Sequence, residues 1–167
     1  MKKLGKMYAK VGFPDNGDSA DGVRIAQYAY WNENGVLASK RGVAPTKHGD
    51  GIWVTPQRPF MSQAVDNNSE QITQTGKKIV KQVSEGKIDA KTAMRLNAEN
   101  MVNLIKTSIK TGRFAPNSDI TIKGIKGFIK GKETSKPLIN TGMMRNSVMY
   151  QIFEGDNRIE QGGKKPG

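Results

Sequence analysis

No cysteine occurs among the 167 residues. That single absence removes disulfides, thiolate zinc sites and cysteine nucleophiles together. Histidine is almost as scarce: the one copy, His48, has a lone aspartate nearby, Asp50. Neither a metal site nor a Ser-His-Asp triad can be assembled from that pair. No apolar run approaches the roughly 18 residues that a membrane-spanning helix needs. The opening residues, MKKLGKMYAK, are basic but lead into no apolar stretch, so a secretory signal is not expected. Phosphate-binding signatures also fail. Gly127 and Gly131 stand one residue too close for a Walker loop, and Glu133 follows Lys132 where Ser or Thr is required. Counting a calcium loop from Asp15 puts Ala20 at the sixth position and Ala26 at the twelfth, in place of Gly and Glu. The acidic residues never cluster as a two-metal site would need. The expectation is a protein without enzymatic activity, metal or cofactor.

Acidic residues are also few: 15 Asp/Glu face 27 Lys/Arg, a formal net charge of +12. The excess is concentrated, since residues 77–136 hold 14 Lys/Arg against 5 Asp/Glu. Such a region attracts nucleic acid or acidic protein surfaces, or is simply a solvated basic face. Within it, Lys123, Lys126, Lys130, Lys132 and Lys136 form a candidate basic contact patch.

The length suits one domain. Residues 6–13 alternate as a strand, with Met7, Ala9 and Val11 on one side, and Phe13-Pro14 ends it. Residues 21–35 read as a helix capped by Asp21 and stopped by Gly35. Ile25, Tyr28 or Ala29, and Asn32 share its face. Trp31 and the neighbouring tyrosines suit a core better than base stacking. Residues 36–57 show little periodicity and form a long excursion, or a hairpin turning at Gly49-Asp50-Gly51. A long helix then starts at Pro59 and runs to Gly86, with Phe60, Ala64, Ile72, Ile79 and Val83 as its stripe and Gly76 as its weak point. Asp89 caps a second helix that Gly112 closes, striped by Ala90, Met94, Ala98, Met101, Ile105 and Ile109. The short Gly turn between the two makes an antiparallel helical hairpin. Ile120 and Ile122 suggest a strand, although Ser118 also fits a helix cap. Gly-Lys steps make 123–136 a second excursion. A helical turn over 142–146, capped by Thr141, precedes a final strand from Ser147 to Phe153, and 154–167 reads as a polar, loosely held tail. The resulting expectation is an α+β fold over 1–153.

Several pieces occur in a specific order: Asn32-Glu33-Asn34-Gly35, Pro56-Gln57-Arg58-Pro59-Phe60, the "FAPNS" stretch, and "KPLINTGMMRNS" from Lys136 to Ser147. Together they resemble small morphogenesis proteins of long-tailed double-stranded DNA bacteriophages, described as neck, tail-completion or minor tail components. The resemblance covers about residues 8–153, with Met144 where leucine is usual and with longer segments at 36–55 and 123–135. It implies two long helices covering a small antiparallel sheet, and a homo-oligomeric ring, often sixfold, at the head–tail junction of a virion. Its partners would be other neck, connector, tail-terminator or tail proteins, with the genome as a further contact for the basic patch. Arg58, Phe60, Met143, Met144 and Arg145 then become candidate subunit-interface residues. Adjacent Met143 and Met144 point about 100° apart on a helical turn, so one belongs to the core and the other is available to a neighbour. A basic DNA-binding protein and an assembly chaperone that leaves before maturation are the alternatives.

Overall fold

The computed structural model describes residues 6–14, 24–38, 52–117, 124–125, 129–130 and 142–163. They form an α+β fold in which one long helix lies across a three-stranded antiparallel sheet. The sheet has the order β1-β6-β7: β1 (Met7–Gly12) pairs with β6 (Met149–Glu154), which pairs with β7 (Asn157–Gly162). Alternation in β1 works as the sequence suggests, since Met7, Ala9 and Val11 pack against the core. From β6, Tyr150 and Ile152 join them.

The central helix is α4 (Ala90–Thr111). The Asp89 carboxylate accepts the Thr92 backbone N–H at 2.7 Å, as its capping role predicts. Hydrogen bonds from the Thr92 side chain and then its backbone hold the Asp89 pKa below its ordinary value. Its buried stripe is Ala93, Ala98, Val102, Ile105 and Ile109. Met94 packs half-buried beside it, and Met101 is half-buried, so the stripe is rotated slightly from the methionine positions the spacing suggests.

The first long helix is in fact two. α2 (Phe60–Asp66) and α3 (Ser69–Ser84) are separated by Asn67 and Asn68. The Asn68 side-chain N–H bonds back to the Ala64 carbonyl at 2.9 Å, substituting for a helical backbone bond at the break. The apolar spacing survives the break, which is why periodicity alone does not reveal it. Gly76 stays helical. The end of α3 is a Schellman turn: Lys87 N–H reaches the Gln82 carbonyl at 2.9 Å and Gly86 N–H reaches Val83 at 3.1 Å, with Gly86 at φ +70°. α3 then folds back on α4.

α1 (Ile25–Asn34) buries Ile25, Ala29 and Asn32, the face expected of it. It begins at Ile25, and Asp21 lies outside the described residues. Trp31 and Tyr28 are half-buried, while Tyr30 is exposed. β2 (Val36–Ala38) and β3 (Ile52–Thr55) pair antiparallel, so the first excursion has a laddered base; its candidate Gly-Asp-Gly turn and His48 are outside the described residues. In the second excursion β4 (Gly124–Ile125) pairs with β5 (Ile129–Lys130). The 118–122 segment is also outside the described residues.

The C-terminal region departs most from expectation. Residues 154–167 read as a loose tail, yet Asn157–Gly162 form β7. A turn at Gly155, φ +60°, reverses the chain, and the Gly155 N–H bonds the Lys6 carbonyl at 2.9 Å. The β7 sequence NRIEQG carries almost no strand signal, because its contribution is polar. Tyr150 donates a hydrogen bond to the Glu160 carboxylate at 3.1 Å, and that carboxylate lies 3.2 Å from Lys91 Nζ and 3.8 Å from Arg95 Nη1 of α4. Burial, then the Glu160 carboxylate, push the Tyr150 phenol up to about 12 from its ordinary 10.0.

Candidate functional site

Arg58 organises the junction of α1, α2 and the segment after α4. It is only 6 % exposed. Its Nη1 donates to Asn32 Oδ1 at 2.8 Å, its Nε to the Ala115 carbonyl at 3.0 Å, and its Nη2 to the Pro116 carbonyl and Asn117 Oδ1, both at 3.2 Å. The Arg58 backbone N–H meets the Asn32 carbonyl at 2.7 Å. All four side-chain acceptors are neutral oxygens, so the buried cation is solvated by dipoles, a role suited to the rigid guanidinium fork. Burial lowers its pKa from the ordinary 12.5, and Tyr28 partly offsets this.

Glu33 completes the junction from the other side. Its carboxylate accepts the Met61 N–H at 2.8 Å, the Ser62 N–H at 2.9 Å and the Ser62 hydroxyl at 2.7 Å. Pro59 precedes α2 and has no side chain able to cap it. A carboxylate from another helix therefore satisfies the first amides and complements the dipole. Thus the Asn-Glu pair, the Arg-Pro-Phe triplet and the Ala-Pro-Asn triplet form one interlocked unit.

Phe60 follows directly and is fully buried, meeting Phe13 edge-on at 5.9 Å between ring centroids. It shares a core with Met144 and Val148. The helical turn is α5 (Met143–Asn146), entered through Gly142 in the left-handed region at φ +66°; Thr141 lies outside the described residues. Met144 is buried and Met143 half-buried against the core. Ser147 closes the turn instead of opening a strand, its hydroxyl donating to the Met143 carbonyl at 2.8 Å.

Among the five candidate interface residues, then, Arg58, Phe60 and Met144 are spent on the protein's own interior. Met143 and Arg145 keep partial exposure on α5. The structure does not gather the five at one surface. Of the basic patch, Lys130 lies in β5, and Lys123, Lys126, Lys132 and Lys136 are outside the described residues. The sequence marks Asn32, Glu33 and Ala115–Asn117 only as pieces of motifs and does not reveal their contacts, nor the Tyr150–Glu160 pair, since the partners are 10 to 59 residues away. Among the described residues no cluster of three His, Cys, Asp or Glu could hold a metal, no buried polar side-chain atom lacks a partner, and no helix is long and apolar enough to cross a membrane. Compared with protein-family models, curated proteins and solved structures, the chain matches none of them.

Proposed function

We propose that this chain is a non-enzymatic structural component of a tailed-bacteriophage virion, acting as an oligomeric ring in the neck or head-proximal tail. One observation carries the reading. The scattered segments on which the resemblance rests form a single physical unit: Asn32 and Glu33 hold Arg58 and the start of α2, and Phe60 packs in one core with Met144. Segments far apart in the chain that bond and pack as one unit make their joint occurrence more telling than any one of them. The outer strands β1 and β7 and the exposed Val80, Val65 and Leu96 offer surface for neighbours. Electron microscopy of the purified protein and of mature particles tests the proposal. Closed rings, and the chain at the head–tail junction, are expected. Absence of the chain from finished particles overturns a permanent structural role and favours a departing chaperone.

A further inference from the structure

The sheet face turned away from α4 carries a different chemistry from the rest of the surface. Strand register places Tyr8 and Lys10 of β1, Met149, Gln151 and Phe153 of β6, and Arg158 and Gln161 of β7 on it, with Met149 buried at one end. Of the other six, two are aromatic, two cationic and two are amides; none of these is a carboxylate. Tyr8 and Phe153 are directly opposite, with rings stacked 5.1 Å apart and 7° from parallel. Lys10 Nζ sits 4.9 Å from the Phe153 centroid and 5.8 Å from that of Tyr8. Arg158 stands opposite Phe153 on the other flank. Although it is stacked on one side, Tyr8 remains 41 % exposed, and Lys10 and Arg158 are exposed too.

We propose that this face binds single-stranded nucleic acid. Tyr8, 41 % exposed beside Phe153, is available to a base, while Lys10 above the aromatic pair and Arg158 beyond Phe153 are available to the phosphates. Gln151 and Gln161 are available to base edges. Aromatics on a sheet flanked by cations are the physical requirements of a strand-binding platform. The overall charge of +12 and the lack of a carboxylate on this face among the described residues supply the complementarity. A duplex, whose bases already stack on one another, presents no free base face to Tyr8. This inference does not rest on the virion reading.

Fluorescence anisotropy with a labelled oligothymidylate and a duplex of equal length tests it, at low and physiological salt. The single strand should bind more tightly, with log affinity falling linearly against log salt. Tyr8→Ala and Tyr8→Leu should each weaken it roughly tenfold without changing the salt slope. Lys10→Gln should reduce the slope by about 0.7. Tyr8→Leu keeps an apolar contact on Phe153, so it guards against misfolding as the cause. No binding, equal binding to duplex, or unchanged affinity in both Tyr8 variants overturns the proposal. So does a change in self-association without a change in oligothymidylate binding, which would assign the face to a second copy.

Discussion

Arg58 is the residue on which most of the chain's distant parts converge. Removing it takes the donor from the Asn32, Ala115, Pro116 and Asn117 oxygens, of which the Asn32 contact is the buried one. An abandoned buried acceptor costs about 1–3 kcal/mol. Arg58→Ala should therefore lower stability by about 1–3 kcal/mol, read as a fall in the urea midpoint at unchanged slope. Arg58→Lys should recover less than half of that, because an ammonium cannot reproduce the fork. Asn32→Ala combined with Arg58→Ala should be clearly less than additive, as residues sharing a network are. Tyr150 gives a prediction in pH. Its folded pKa is raised from 10.0 to about 12, so the native state favours the protonated phenol. The associated stability is fully present below pH 10 and lost as the pH rises through about 12. In a spectrophotometric alkaline titration, a late tyrosine step should appear near pH 12. Glu160→Gln should bring that late step down, since it removes a charge that opposes the phenolate.

Helices in this chain differ in how plainly the sequence announces them. α4 is legible at both ends, because Asp89 and Gly112 act locally and because its apolar residues keep helical spacing over 22 residues. β1 is legible for the same reason at period two. The break between α2 and α3 is not, since Ile72, Ile79 and Val83 continue the stripe and the interruption depends on Asn68 bonding back to Ala64. The start of α2 is hidden for a different reason: its cap is Glu33, which precedes Met61 by 28 residues. Glu33→Ala should cost about 1 kcal/mol, the usual worth of a lost cap, and Glu33→Gln less. Gly76 tests the opposite direction. A Cβ there meets nothing within 4 Å, and the residue is mid-helix. Gly76→Ala should raise stability by about 0.5–1 kcal/mol, measured by thermal or urea unfolding. A loss of stability instead would mean that α3 is not a continuous helix at 76.

For the whole molecule, the decisive feature is that the polar C-terminal stretch closes the fold. β7 contributes little apolar surface, yet its Glu160 ties the sheet to Lys91 and Arg95 near the start of α4 and partners the Tyr150 hydroxyl. Gly162 lies opposite Tyr150, and a Cβ there would overlap the phenol ring. The strand is thus shaped to seat one buried tyrosine, a requirement that a hydrophobicity pattern cannot express. Ending the chain after Glu154 exposes the flank of β6, leaves the Tyr150 hydroxyl without its acceptor and strips two α4 cations of their counter-charge. A truncated chain of that kind is expected to lose cooperative thermal unfolding and bind a hydrophobic dye. Glu160→Ala separates the two contributions. If the polar tie dominates, that single change reproduces much of the truncation's effect. If strand pairing dominates, it leaves a cooperative but less stable fold, and the chain's last ladder, not its ion pairs, is what holds α4 to the sheet.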